Sequence, residues 1–339
     1  MRVGVNYPWF DYGWDFGLGP DLWRGARVTP RWYDEIDQHL RHFRDLGITV
    51  VRWFILADGL TYGTGDDAPR SDRWAQETWH FDPPALSEDF LQHFRELLER
   101  FAPSGIQLLP VLIDFHFCES GFIPVERVDD ADRSTLIPDA GWVKQGRAEA
   151  ITNAASRMRF LDGALEPLLR VCARRAEVIY AWELINEPDW VTDGWHSNPF
   201  RRAPVSEVSM RAFLEEGSDR IRRAGFRPTV GFASARSLRR VGIASEVCQF
   251  HHYPAGSVTL DPHVVDPEIV GEFATAQTDV WPDLIGAGQS VLNRLRLADA
   301  GGYALAIPWA FRSHDRHTVW SPAVEDDLRT FVRESAGHG

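Results

Sequence analysis

The chain has 339 residues, of which 44% are hydrophobic and 25% charged; this excludes a mostly disordered protein and suits one large α/β barrel or two ordinary domains. A formal net charge of −13 repels phosphate backbones and anionic lipid, so neither nucleic acid nor a membrane is expected as a partner. Cys118, Cys172 and Cys248 are too few and too scattered for a disulfide framework, no Cys/His spacing suggests zinc, and buried reduced thiols are expected.

The first strand is expected at residues 2–7 (RVGVNY). A helix follows over 30–46, with Thr29 as its cap, Pro30 in its first turn and Gly47 at its end. Residues 49–55 (TVVRWFI) read as the second strand, and 87–101 as a helix capped by Ser87 with Phe90, Leu91, Phe94, Leu97 and Leu98 at helical spacing. The third strand is 107–114 (QLLPVLID), followed by a long polar loop and a helix near 154–172. The fourth is 178–185 (VIYAWELI), with a helix over 206–224 behind it. Short strands are expected at 228–232, 247–252 and 269–273, then a helix over 283–300, an eighth strand at 303–309 (YALAIPW) and a last helix at 322–332. The fifth and sixth helices look short or irregular.

Strands alternating with helices demand a parallel sheet, and eight such units predict a single-domain (β/α)8 TIM barrel with long βα loops. A doubly wound open sheet is the alternative, but no GxGxxG follows the first strand. The N-terminus has no long apolar stretch, and no apolar run approaches the roughly 20 residues that span a bilayer, so a cytoplasmic protein is expected.

Barrel strands deliver their C-terminal ends to the active site. Those ends carry Asn6 and Tyr7, Arg52, Asp114 and His116, Asn186 and Glu187, His251 and Tyr253, Glu272, and Trp309. A packed strand needs none of these groups. In Trp182-Glu183-Leu184-Ile185-Asn186-Glu187-Pro188, the proline stops the ladder and presents Asn186 and Glu187 at the rim. Val270-Gly271-Glu272-Phe273 places a second carboxylate across the mouth, on the seventh strand. Two carboxylates facing each other over a cleft is the arrangement that glycosidic cleavage requires.

On these motifs the chain, from Val3 to Trp309, resembles clan A glycoside hydrolases, most closely family 5, the cellulase and β-mannanase family. The resemblance implies a retaining β-glycosidase acting on β-linked, often 1,4-linked, gluco- or manno-configured sugars. It makes Glu187 the acid/base and Glu272 the nucleophile. Arg52, His116, Asn186, His251, Tyr253 and Trp309 become substrate-binding or supporting residues, with a carbohydrate as partner and no cofactor or metal. Family members are often secreted; this chain is expected to differ from them in lacking a signal peptide and a binding module.

Within that scheme Arg52 is expected to hold Glu272 ionised, Tyr253 to hydrogen-bond it, and Asn186 to bind the sugar 2-hydroxyl. Glu183 is expected in a structural salt bridge, and strand alternation sends His252 to the opposite face from His251 and Tyr253. The chain has fourteen tryptophans; Trp9, Trp14, Trp23, Trp74, Trp79, Trp142, Trp190, Trp195, Trp281, Trp309 and Trp320 all fall in or beside loops of the catalytic face, where indole planes suit sugar C–H faces. Long loops would favour exo-action on short oligosaccharides. Two alternatives stand beside the hydrolase: a metal-dependent sugar isomerase using Glu187, Asp114, His252 and Glu272, and a carbohydrate-binding pseudoenzyme.

Overall fold

Eight parallel strands close on themselves in the computed structural model: β1 (Arg2–Asn6), β2 (Val50–Phe54), β3 (Gln107–Asp114), β4 (Trp182–Asn186), β5 (Pro228–Phe232), β6 (Val247–His251), β7 (Ile269–Ala274) and β8 (Leu305–Trp309). The structure describes residues 1–7, 30–57, 59, 62, 68–69, 81–119, 121–129, 132–144, 146–195, 203–242, 246–253, 269–274, 290–312 and 320–337. Each strand pairs with its sequence neighbours, and β8 closes the ring on β1 with Arg2 opposite Leu305. The expected (β/α)8 barrel is present.

Around the ring lie α1 (Pro30–Asp45), α2 (Glu88–Phe101), α3 (Glu149–Thr152), α4 (Ala154–Phe160), α5 (Glu166–Cys172), α6 (Glu207–Arg223), α7 (Ala235–Val241), α8 (Val291–Ala300) and α9 (Pro322–Ala336). Ser87 caps α2 and Ser206 caps α6 through their side chains, satisfying N–H groups that a helix start leaves unpaired. Outward residues such as Trp53, Leu108, Leu112 and Leu184 pack with Phe94, Leu97, Phe213 and Leu214 of the helices in one core. Among the described residues no helix is long and apolar enough to cross a membrane.

Three local expectations differ. The loop expected after β3 contains two antiparallel strands, Gly121–Asp129 and Asp132–Lys144, with Ala68–Pro69 added at the edge. The single helix expected over 154–172 is broken by a π turn, Leu161–Leu165, within which the Gly163 carbonyl accepts the Leu86 N–H (2.9 Å). The fourth strand begins at Trp182, because residues 173–178 form a 3-10 helix and Ile179 touches β3 only through an isolated bridge to Leu108.

The barrel interior is layered. At the bottom Val50, Leu109, Ala181, Val247, Ile269 and Leu305 form an apolar plug. Above it the same inward positions of β2, β4 and β6, two residues on, carry Arg52, Glu183 and Gln249, all with 0% exposure. At the rim stand Glu187 and Glu272. This polar middle layer holds Glu272 through Arg52.

Candidate active site

Arg52 is the hub. Its Nε and Nη2 donate to the two oxygens of Glu183 at 2.7 Å each, a planar bidentate pair. Nη1 donates to Asn6 Oδ1 (2.8 Å) and to Glu272 Oε1 (2.7 Å), and Nη2 also reaches Asn186 Oδ1 (2.8 Å). Gln249 Nε2 gives Glu183 a third donor (2.8 Å). Glu183 is therefore the structural ion-pair partner expected from its place inside the strand. Strict alternation would not put both Glu183 and Asn186 on the inner side; a register irregularity between them on β4 does. A similar irregularity on β7, between Val270 and Glu272, turns Glu272 toward the mouth.

Two glycines make room for this layer. A Cβ on Gly231 of β5 would lie 2.3 Å from Glu183 Oε1 and 3.1 Å from His251 Nε2. On Gly271 of β7 it would lie 2.7 Å from Gln249 Nε2. Larger residues at either place would displace the polar network itself.

Glu272 takes its second hydrogen bond from the Tyr253 hydroxyl, at Oε2 (3.1 Å). Burial raises its carboxyl, opposed by His251 and Arg52 and reinforced by Glu187, so the net shift is upward. Arg52 was expected to hold this carboxylate ionised; it does pull in that direction, but burial outweighs it.

Glu187 follows β4 in a left-handed backbone conformation, φ 46° and ψ 52°. For a non-glycine residue this costs about 1–2 kcal/mol. Pro188 then starts a one-turn 3-10 helix, Pro188–Trp190, which returns the Trp190 indole to its own acid: Trp190 Nε1 donates to Glu187 Oε2 at 2.8 Å. The other oxygen lies 2.7 Å from His251 Nδ1. The Glu187 carboxyl is pushed up to about 8 by burial first, then by the charges of Asp114 and Asp189. Burial and the two aspartates outweigh repulsion from Glu272 here. Burial also lowers the His251 imidazole, which favours its neutral form.

The remaining expected residues divide. Asn186 is locked between Arg52 and Asp114, to which its Nδ2 donates (2.7 Å). Trp309 ends β8 half-buried, edge-on to Phe54 with ring centroids 6.2 Å apart. His116 stands apart from the carboxylate cluster: it lies on a 3-10 turn after β3, its side chain is 59% exposed, and its Nδ1 faces Glu119 (3.3 Å). His252 turns away as alternation requires, with its backbone N–H on the Glu272 carbonyl (2.8 Å) and its imidazole pushed down to about 4 by burial and the Arg294 charge.

Sequence reasoning passed over Gln249, Asp189 and the link from Trp190 to Glu187. Gln249 carried a signal: a polar residue inside an apolar strand, two before His251 and so on its face. Trp190 sits three residues after the acid, one 3-10 turn on. Trp195 is buried and Trp320 half-buried against Phe311. Trp9, Trp14, Trp23, Trp74, Trp79 and Trp281 lie outside the described residues, as does the side chain of Trp142.

Glu187, His251 and Glu272 each offer a potential ligand atom, all within 4.8 Å of one another. Divalent ions accept such donors. Here, however, Arg52 occupies Glu272 Oε1 and sets a permanent positive charge beside any cation, while Tyr253 occupies Oε2. The isomerase's other ligands fit no better: Asp114 accepts from the His116 N–H and from Asn186, and His252 faces elsewhere.

The sequence matches no family model and no curated protein. Solved structures do match the fold. The endo-1,4-β-mannanase of Eisenia fetida aligns over 98% of this chain and 91% of its own, with a TM-score of 0.66 and 15% identity. The β-1,4-D-mannanase of Cryptopygus antarcticus aligns over 97% and 90%, at 0.65 and 16%. A GH5_18 protein of Streptomyces cattleya, solved in complex with Manβ1-4GlcNAc, aligns over 98% and 80%, at 0.60 and 12%. At these identities the likeness establishes a shared fold: this chain has the (β/α)8 architecture of the family 5 glycoside hydrolases.

Proposed function

We propose that the protein is a retaining β-glycoside hydrolase that cleaves β-linked manno- or gluco-configured sugars, with Glu187 as acid/base and Glu272 as nucleophile. The observation that carries this reading is the asymmetry of the pair. Glu187 is held above neutrality, at about 8; burial raises Glu272 as well, but its 2.7 Å bond to the Arg52 guanidinium pulls it toward the ionised form. One carboxyl is suited to give a proton and the other to attack. An oxygen of each lies within 4.8 Å of the other's. That supports retention, for which carboxyls stand about 5–5.5 Å apart, against about 6.5–9.5 Å for inversion.

In the first step a Glu272 oxygen bonds to the anomeric carbon. The bond to the leaving oxygen breaks, its electron pair stays on that oxygen, and the Glu187 proton neutralises it. In the second step water gives a proton to Glu187 and bonds to the anomeric carbon, releasing Glu272 as carboxylate. Tyr253 and Arg52 keep Glu272 in place through both, and Asn186 is positioned for the 2-hydroxyl. The mannanase neighbours favour manno-configured substrates. Hydrolysis of 4-nitrophenyl β-mannoside, β-glucoside and β-1,4-mannobiose tests the reading, with the anomer of the first product followed by NMR. Release of a β-hemiacetal supports it. An α-product, or no turnover of any β-glycoside, contradicts it.

A further inference from the structure

Beside the acid lies a cavity of about 460 Å³, lined by Asp189, Trp190, Trp195, Ser234, Arg236 and Arg240 among others. Its walls are the turn after β4 and the start of α7 after β5, so it opens on the face of the barrel that carries Glu187. Trp190 belongs to both places: its indole N–H holds Glu187 while its ring lines the cavity. The volume falls in the range of small-molecule sites, and an indole suits a sugar face.

The charge in this cavity departs from the rest of the chain. Net charge is −13, and several surface arginines are committed to carboxylates, as in Arg175–Glu99, Arg222–Glu246 and Arg296–Glu334, while others, such as Arg41 and Arg174, are not among the described residues. Arg236 and Arg240 are exposed, and neither donates to a carboxylate among the described residues. The neighbouring Glu207 is bonded to Arg211 (2.8 Å), and the Arg240 charge also reaches it. Asp189 is the one acid in the lining. It is buried, its Oδ2 accepts the Ala233 N–H (2.9 Å), and its Oδ1 has no hydrogen-bond partner. Burial raises its carboxyl, opposed by the Ala233 N–H and the Ser237 hydroxyl.

We infer that this cavity receives the leaving-group sugar and that Arg236 and Arg240 select one bearing an anionic substituent. The inference rests on the hydrolase reading, since it is the acid's side of the cleft that holds the departing group. Guanidinium forks match carboxylate and phosphate alike, so the shared chemistry is an anion on the sugar ring.

The test compares kcat/KM for three β-mannosides whose leaving groups are glucose, glucuronic acid and glucose 6-phosphate, with 4-nitrophenyl β-mannoside alongside. Wild type is expected to prefer at least one anionic leaving group over glucose by about tenfold, and Arg236→Ala/Arg240→Ala to bring that ratio near one. The two anionic substrates separate a carboxylate from a phosphate preference. In wild type alone, raising salt from about 0.02 to about 0.5 M should also collapse the ratio, whatever the behaviour of the variant. Equal rates on all three disaccharides, or a preference that survives both substitutions, overturns the inference while cleavage of the nitrophenyl substrate leaves the hydrolase reading standing. No turnover of any substrate overturns both.

Discussion

Arg52 and Glu272 share a 2.7 Å hydrogen bond, but Arg52 gives its bidentate edge to Glu183. Glu272 receives one N–H from a guanidinium whose charge a second carboxylate already partly neutralises. A bidentate pair with Glu272 would hold its electrons more firmly and weaken it as a nucleophile. The arrangement instead orients the carboxylate and leaves burial able to raise its proton affinity. Glu183 thereby acts on Glu272, the proposed nucleophile, from beneath it.

The pH dependence follows from Glu187. In its proposed role as proton donor it must be protonated, so kcat/KM should fall as pH rises through about 8. The same shift bears on stability. A carboxyl whose folded value lies above its unfolded value binds more protons in the folded state, so its stabilising effect is full below about 4.5 and is lost as pH rises to about 8. Glu187→Gln removes that titration. Thermal melts from pH 5 to 8 should show the variant gaining on wild type as pH rises, by at most about 1.4 kcal/mol per pH unit. Parallel melting curves across that range would show that Glu187 is not perturbed in this way.

Trp190→Phe separates a ring from a hydrogen bond. The ring remains; the donor to Glu187 Oε2 is lost. That bond lowers the Glu187 carboxyl, so its loss should move the basic limb of the pH–rate profile upward. The rate should fall by up to about tenfold, the order of one neutral hydrogen bond. An unmoved limb would mean that the indole serves substrate contact alone.

Gly231→Ala places a methyl carbon where Glu183 Oε1 now lies, at 2.3 Å from it. The oxygen is held by Arg52 on one side and packed barrel on the other, so the network must shift. Destabilisation of about 1–3 kcal/mol in urea, with loss of activity, is expected from overpacking. Wild-type stability and turnover in this variant would show the polar layer to be loosely held.

Much of this was legible in the sequence because each strand carries its own signal. Residues 107–114 form β3 with the expected bounds, and Pro188 stops β4 so that Glu187 is presented at the rim. The harder parts depend on contacts that sequence spacing does not encode. The Val178–Ala181 run is apolar like a strand, yet it meets β3 through an isolated bridge from Ile179 to Leu108 and the Tyr180 N–H on the Leu108 carbonyl. The π turn at Leu161–Leu165 is set by the contact of Gly163 with Leu86. The partition of Arg52 between two glutamates 89 positions apart in the sequence depends on two strand irregularities, and no local motif announces them. His116 fits the family motif by position, but its exposed side chain faces Glu119, while its backbone N–H joins the network at Asp114.

The central claim is that Glu272 attacks the sugar while Glu187 donates the proton. Its most direct test is azide rescue of Glu272→Ala on an aryl β-glycoside that the wild type cleaves. The account predicts a variant that is inactive alone and that, with azide, yields the α-glycosyl azide, because the small anion enters from the face the carboxylate has vacated. Wild-type activity in Glu272→Ala, or a β-azide as the rescued product, would contradict it.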